Sequence, residues 1–230
     1  MPQAAALASL TGRLAYTFNN PALLDEALTH RSAGSINNER LEFLGDSILN
    51  FVIADELFRK FSDINEGDLS RLRASLVNRD SLADIARELE LGACLKLGSG
   101  ELKSGGFRRS SIIADAVESL LGAVYCDAGF DVCRQLVLRL YKHKLENIPA
   151  LDSLKDSKTR LQELLQSRQF ARPEYSVIEI SGKAHAQNFK VECRLEGIDC
   201  VTVGEGRSRR KAEQLAAEAA LEIVNRHFEN

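Results

Sequence analysis

The spacing of apolar residues changes character once along this chain, and the change predicts two domains of different fold class. Between residues 41 and 52, as in most of the chain before residue 145, apolar side chains recur every three or four positions, which is typical of helices. Residues 146–157 contain a proline and no clear period, and they predict a linker. Between 189 and 195 apolar residues alternate with charged ones, which indicates a half-exposed strand.

The other segments of the second half complete an α-β-β-β-α order. They predict a short leucine-rich helix around 161–165, strands over 175–180 and 201–203, and a helix with one alanine-rich stripe over 212–224. The sequence therefore predicts a multidomain chain with an all-α domain at 1–147, a linker at 148–156 and an α+β domain at 157–227.

Glycine and serine give local expectations within the first half. Gly92 is a plausible helix end, and residues 98–109 read as a glycine-rich basic loop. Ser110 or Ser111 is expected to cap the helix that follows.

Composition excludes several classes of protein. No stretch of about 18 uncharged apolar residues is present, so no membrane span or membrane partner is expected. The N-terminus lacks the basic segment and long apolar core of a secretory signal. The five cysteines are odd in number and form no CxxC, which argues against a disulfide framework or a zinc knuckle and predicts the reducing cytoplasm.

The chemistry of the first half is expected to depend on carboxylates, because only four histidines occur and neither HExxH nor GxSxG is present. In one predicted helix, Glu39, Glu42 and Asp46 fall within an arc of about 60°, on a stripe that becomes apolar one turn later. In a second predicted helix, Asp115 and Glu118 are the only charged residues.

Unpaired carboxylates on apolar helix faces are costly, and a divalent cation such as Mg²⁺ or Mn²⁺ would offset the repulsion among them. The alternative is that the acids are exposed or paired with arginines such as Arg31, Arg71 or Arg73. A di-iron site is disfavoured because no glutamate has a histidine three residues later. No nucleotide-binding loop is visible, so hydrolysis of a phosphodiester fits better than a kinase or an ATPase.

The start of the alanine-rich helix predicts an anion site. Ser208 can cap this helix, and Arg209, Arg210 and Lys211 add positive charge beside its free N–H groups. Three basic residues at a solvated helix end are weak evidence alone. The α-β-β-β-α order around them favours binding to an RNA phosphate backbone.

Several segments resemble the ribonuclease III family. Its signature is matched by NERLEFLGDS at 38–47, with supporting matches in THRS at 29–32, EGDLSRLRASLV at 66–77, GELKSGGFRR at 100–109 and ADAVESLLGAV at 114–124. The second half resembles a double-stranded-RNA-binding domain. The arrangement is similar to that of bacterial members, one nuclease domain followed by one RNA-binding domain, without the extra domains of Dicer or Drosha.

The resemblance implies a Mg²⁺-dependent endoribonuclease, with Mn²⁺ as a substitute and no organic cofactor, that hydrolyses double-stranded RNA. It implies 5′-phosphate and 3′-hydroxyl ends with short 3′ overhangs, and a homodimer in which each subunit cuts one strand. The implied substrates are ribosomal RNA precursors and structured messenger and transfer RNA transcripts.

The family's acids can be placed on this chain residue by residue. Glu42, Asp46, Asp115 and Glu118 match its metal-binding acids. Of these four, Asp46 and Glu118 match the positions usually called catalytic. The resemblance also assigns supporting, non-ligating acids to Glu39 and Glu66.

In the RNA-binding domain, Gln162 and His185 match the places that meet successive minor grooves of a duplex. By spacing alone they would be a solvated helix position and an exposed loop residue.

The second helix of this domain reaches the phosphates between the grooves. Arg209, Arg210 and Ala212 match the family pattern Lys-Lys-x-Ala-Lys, but Glu213 stands at its last position. This departure puts one phosphate contact in doubt, for which Lys211 is a candidate replacement.

Two other functional classes stay open. One is an RNA-binding or ribosome-associated protein with a dead nuclease domain, which the loss of any of the four acids would favour; all four are present. The other is a regulator that binds structured RNA without cutting it.

The net charge of −3 argues against a uniformly basic RNA-binding protein. Residues 1–150 contain 17 Lys and Arg against 20 Asp and Glu, and residues 151–230 contain 13 against 13. The cations are instead concentrated in two patches, at 103–109 and 207–211.

Overall fold

The computed structural model describes residues 2–148, 150, 155–183 and 186–229, and the chain divides into two compact units after Ile148. Most of the predicted linker, at residues 149 and 151–154, lies outside the described residues, and so does His185. The predicted linker bounds, 148 and 156, therefore stay a prediction.

The first unit is built from helices throughout its described length, in agreement with the all-α prediction. They are α1 (Pro2–Leu14), α2 (Pro21–Ala27), α3 (Glu39–Lys60), α4 (Glu66–Leu76), α5 (Arg79–Glu88), α6 (Ser99–Lys103), α7 (Ser110–Ala128), α8 (Phe130–Leu140) and α9 (Lys142–Glu146). Two 3₁₀ turns, Leu91–Ala93 and Gly106–Arg108, flank α6.

Asparagine side chains begin three of these helices. The Asn20 carboxamide oxygen accepts a hydrogen bond from the N–H of Ala22 at 3.1 Å, and Pro21 stands at the first helical position. Asn65 and Asn78 cap α4 and α5 in the same way. Each cap satisfies an N–H group that has no partner within its helix.

Three local expectations were wrong. The end of α5 turns at Glu90, which adopts a left-handed φ of 54°, and not at Gly92. Gly92 lies in a 3₁₀ turn, where a Cβ atom would overlap the carbonyl oxygen of Phe107. The segment 98–109 contains α6 and a 3₁₀ turn, so it is only partly a loop. Neither serine caps α7, because the helix begins at Ser110 itself.

Helix α7 lies at the centre of the first unit and packs against α3 at very short range. A Cβ atom on Gly45 of α3 would overlap the backbone of Glu118, and one on Gly122 of α7 would overlap the carbonyl oxygen of Leu41. The two helix backbones therefore touch where these glycines lie. Buried aliphatic side chains such as Leu49 continue the interface beyond this contact.

The second unit has the predicted α-β-β-β-α order: α10 (Ser157–Ser167), β1 (Glu174–Ser181), β2 (Asn188–Leu195), β3 (Cys200–Gly206) and α11 (Arg209–Glu229). The three strands form an antiparallel sheet in the order β1-β2-β3. Cys193 on β2 is fully buried beside Leu161 of α10 and Ala216 of α11, which places both helices on one face of the sheet. None of the helices in the described ranges is long and apolar enough to cross a membrane.

Candidate active site

The close contact of α3 with α7 brings the predicted acids together. Glu42 and Asp46 lie on α3 on either side of Gly45, and Asp115 and Glu118 lie on the facing part of α7. All four line one cavity of about 480 Å³. A side chain at position 45 would separate the helices and hence the two pairs of carboxylates.

Three of the four acids form a tight cluster. Glu42, Asp115 and Glu118 each offer a carboxylate oxygen, and these atoms lie within 4.8 Å of one another. All three side chains are half-buried. Within the described residues, no lysine or arginine forms an ion pair with them.

The arginines considered as alternative partners contact other groups. Arg31 pairs with Glu39 at 3.3 Å, and Arg71 pairs with Asp68 at 3.0 Å. Arg73 lines a different groove. Within the described residues these arginines form no ion pair with the acid cluster, although the charge of Arg31 opposes the raised pKa of Glu42 and of Asp115.

Burial and mutual repulsion make the clustered acids weak. Burial, followed by the charges of Asp46, Asp115 and Glu42, raises the pKa of Glu118 to about 8. Burial is also the largest cause of the raised pKa of Glu42, with Asp115 next. Burial raises the pKa of Asp115 as well, although the charge of Arg79 opposes it. The cluster therefore holds carboxyl groups that favour protonation unless a positive charge enters.

Asp46 lines the cavity but does not belong to the three-acid cluster. Its Oδ1 accepts a hydrogen bond from the Asn50 side-chain amide at 2.7 Å, one turn further along α3. The side chain is exposed. Asp46 still acts on the cluster through its charge, since it is the largest electrostatic contributor to the raised pKa of Glu118.

The two supporting acids are in different places. Glu39 lines the acidic cavity and pairs with Arg31. Glu66, at the start of α4, lies in a separate groove of about 400 Å³ beside Phe51 and Phe58. Its carboxylate accepts a hydrogen bond from Ser70 at 2.8 Å. Within the described chain, Glu66 is therefore not part of the acidic cavity.

Basic side chains also line the cavity. The sequence pointed to Arg31 only as an alternative partner of the acids and to Arg109 only as part of the basic segment 103–109. Arg31 and His30 lie after α2, and Arg109 precedes α7. Arg109 is held by Glu101 at 2.9 Å and by the hydroxyl of Ser104 at 3.1 Å. The cavity thus offers carboxylates inside and positive charge at its edge, which suits a phosphate approaching a metal site. The basic segment 103–109 was the available signal for Arg109.

The donor set fits a hard divalent cation. Carboxylate oxygens are the ligands that Mg²⁺ and Mn²⁺ prefer, and three converge here without an ion pair to a lysine or arginine of the described residues. Neither a cysteine nor a histidine belongs to the cluster, so the donors do not suit a zinc site.

In the second unit, the helix start that was expected to bind an anion is capped as predicted. The Ser208 hydroxyl oxygen accepts a hydrogen bond from the backbone N–H of Lys211 at 3.2 Å, which confirms the predicted cap. Gln162 and Arg210 line a common cavity of about 610 Å³. Arg209 instead pairs with Glu213 at 2.8 Å, and Lys211 is exposed.

The two folds and the acidic cavity define a class of protein: a helical nuclease domain followed by a double-stranded-RNA-binding domain. The model of the Ribonuclease-III-like family matches residues 20–145, and that of the double-stranded RNA binding motif matches residues 157–224. This chain belongs to the ribonuclease III family, which makes it a double-strand-specific endoribonuclease and confirms the resemblance seen in its sequence.

Individual relatives agree with this assignment. A Ribonuclease 3 from Hahella chejuensis is 58% identical over 94% of this chain and 96% of its own length. A Ribonuclease 3 from Vibrio cholerae is 58% identical over 93% of this chain and 95% of its own length. The crystal structure of the ribonuclease III nuclease domain from Campylobacter jejuni, at 44% identity, covers 61% of this chain and 97% of its own with a TM-score of 0.59.

Proposed function

We propose that this chain cuts double-stranded RNA by metal-dependent hydrolysis, with Mg²⁺ as the natural ion and Mn²⁺ as a substitute. The observation that carries the proposal is the convergence of Glu42, Asp115 and Glu118 within 4.8 Å in a half-buried cavity. The repulsion among three such carboxylates destabilises the metal-free protein. A divalent cation bound between them would attract all three and remove this repulsion.

Each acid has a proposed part. Glu42 and Asp115 hold the cation between α3 and α7, and Asp46 and Glu118 are the catalytic acids that complete the site. When bound, the cation supplies the Lewis-acid chemistry of phosphodiester hydrolysis. Glu118 carries its proton at neutral pH in the metal-free protein, because its pKa is about 8, and it must lose that proton before its oxygen becomes a ligand.

Arg109 and Arg31, which line the cavity, orient the phosphate of the substrate. Arg109 is fixed by Glu101 and Ser104, so its guanidinium loses little freedom when a phosphate arrives. Arg31 has the same role in this cavity, where Glu39 holds it at 3.3 Å. Glu39 supports the site without binding metal. For Glu66, which lies in the separate groove, a supporting role rests on the family resemblance alone.

We further propose that the chain acts as a homodimer. Helix α3 exposes three phenylalanines, Phe43 at 76%, Phe51 at 60% and Phe58 at 70%. Large exposed apolar side chains in a row indicate an interface. A second structure of the Campylobacter jejuni nuclease domain shows structural flexibility in a region involved in dimer formation.

The family resemblance supports the finer points of the function. Two copies, each cutting one strand, leave 5′-phosphate and 3′-hydroxyl ends with short 3′ overhangs. The substrates are ribosomal RNA precursors and structured messenger and transfer RNA transcripts, and the reaction takes place in the cytoplasm. We keep the predicted division into 1–147, 148–156 and 157–227 for the nuclease domain, linker and RNA-binding domain.

The test is incubation of a long RNA duplex with the wild type, Asp46→Asn and Glu118→Gln, with and without Mg²⁺, followed by gel analysis. We expect cleavage only by the wild type with metal, and duplex binding by all three. Glu56→Gln changes an acid of α3 outside the cavity and should cut like the wild type. Normal cleavage by both cavity variants would refute the metal site. A wild type that binds but never cuts would support the non-cutting regulator.

A further inference from the structure

A cavity in the RNA-binding unit is lined by more positive charge than the predicted contacts account for. It has a volume of about 610 Å³ and lies between α10, the start of β1 and the start of α11. Gln162 and Arg210, both predicted to contact RNA, line it. Two further cations, Lys158 and Arg172, line the same cavity.

Lys158 is held in place by consecutive residues of α11. Its ammonium group donates to the Glu213 carboxylate at 2.7 Å, and its backbone N–H donates to the Gln214 side chain at 3.2 Å. The ammonium also lies 4.3 Å from the centre of the Tyr175 ring. A lysine anchored in this way loses less side-chain freedom on binding an anion than a lysine that moves freely in solvent.

Glu213 is an organising group and not a solvent-exposed acid. Its side chain is 11% exposed and accepts from both Lys158 and Arg209. Burial opposes its ionisation, but these hydrogen bonds hold its pKa below the usual value, so it is charged at neutral pH. Lys158 and Arg209 share the Glu213 carboxylate, so this group of three carries one net positive charge. The cavity itself is lined by three basic side chains, Lys158, Arg172 and Arg210, and by two acids, Glu213 and Asp156.

We propose that Lys158 supplies the phosphate contact that Glu213 removes from the family pattern. The carboxylate at position 213 holds a lysine from α10 at 2.7 Å, so an ammonium group still lies beside this turn of α11. Lys158 stands one helical turn before Gln162 on α10 and shares the cavity with Arg210. It therefore fits a backbone phosphate between the groove read by Gln162 and the phosphates reached by Arg210. Glu213 is then a positioning residue, and Lys211 is not needed as the replacement.

This inference rests on the proposed binding of duplex RNA, and salt dependence tests it. Full-length protein is titrated into a fluorescent RNA duplex without divalent ions, between about 50 and 200 mM salt. Each phosphate contact contributes about 0.9 to the slope of log K against log salt. We expect Lys158→Gln to reduce the slope by about 0.9 and the affinity at 0.1 M salt by roughly eightfold. Lys158→Arg should retain the wild-type slope.

Two variants separate an RNA contact from a structural ion pair. Glu213→Gln breaks the same pair but keeps the ammonium, so its slope should stay at the wild-type value while its affinity falls. The control is Lys190→Gln, which removes a lysine of similar exposure on β2 that pairs with Glu205 of β3 at 3.2 Å. It should change neither the slope nor the affinity. A wild-type slope for Lys158→Gln, or equal slopes for Lys158→Gln and Glu213→Gln, would overturn the inference. Failure of the wild type to bind the duplex would instead refute the proposed function.

Discussion

Replacing Glu118 with glutamine should stabilise the metal-free protein at neutral pH. Burial, with the charges of Asp46, Asp115 and Glu42, raises the pKa of Glu118 from 4.5 to about 8. The unfolded chain releases this proton near pH 4.5, whereas the folded chain keeps it until about pH 8. The folded state therefore binds more protons across this window, and the wild type loses stability as the pH rises. Glutamine does not titrate, so the variant escapes this loss.

The size of the effect follows from the same window. A pH of 7 lies two and a half units above the pKa of this carboxyl in the unfolded chain. Keeping the proton in the folded state at that pH therefore lowers the free energy of unfolding by roughly 3 kcal/mol. Partial exposure of the cavity to solvent screens the charge, and we expect about 1–3 kcal/mol. For a protein of this size, each kcal/mol shifts the melting temperature by about 2–4 °C.

The assay is thermal unfolding of the wild type and Glu118→Gln in a chelating buffer from about pH 5 to pH 8. The gap in melting temperature should be small at the acidic end and widen steadily toward pH 8. Added Mg²⁺ should stabilise the wild type and narrow the gap, because the cation replaces the proton. Glu56→Gln, outside the cavity, should follow the wild type. A gap that stays constant with pH, or a wild type that gains on the variant toward pH 8, would refute the electrostatic account.

Three further outcomes are expected. Gly45→Ala should lower the melting temperature strongly and abolish cleavage, because the added Cβ overlaps the backbone of α7. As a control, Gly12→Ala has open space around its Cβ and should leave the melting temperature unchanged or slightly raised. Phe58→Asp should shift sedimentation toward the monomer, because it places a charge on the exposed apolar row of α3; a dimer of unchanged stability would contradict that interface. Ser119→Ala removes a buried hydroxyl that donates to the backbone of α2 at 2.8 Å, and should cost about 1–2 kcal/mol in urea unfolding.

Periodicity and local patterns were sufficient for the architecture. The helical spacing, the alternation in β2 and the alanine-rich stripe each report which face of an element is buried, and burial decides these folds. The acids on α3 and α7 were recognisable for the same reason, because a charge on a stripe that should be apolar needs an explanation. Helix ends were harder to predict. The chain turns at Glu90, which adopts a left-handed conformation that glycine adopts more readily. Because glycine is the usual residue for such a turn, the sequence pointed to the nearby Gly92 instead.

Distances between elements could not be read from the sequence. The spacing on α3 places Glu42 and Asp46 together, but only the backbone contact at Gly45 and Gly122 fixes how closely they face α7. Glu213 shows a second limit. In a linear pattern it appears as a lost phosphate contact, whereas its partner Lys158 lies 55 residues away in sequence. The acid at position 213 of one helix is thus paired with a lysine of another helix, which a pattern within α11 alone does not show.

The position of Asp46 reduces the repulsion among the carboxylates of the acidic cavity. Its carboxylate is stabilised by the Asn50 amide at 2.7 Å outside the three-acid cluster, yet its charge still raises the pKa of Glu118. A fourth carboxylate inside the cluster would add repulsion, and within the described residues no lysine or arginine forms an ion pair with the cluster. The metal-free site therefore keeps one acid outside and one protonated, and both of these are the acids proposed to be catalytic. The arrangement limits the cost of a site without metal while all four proposed ligands line the same cavity.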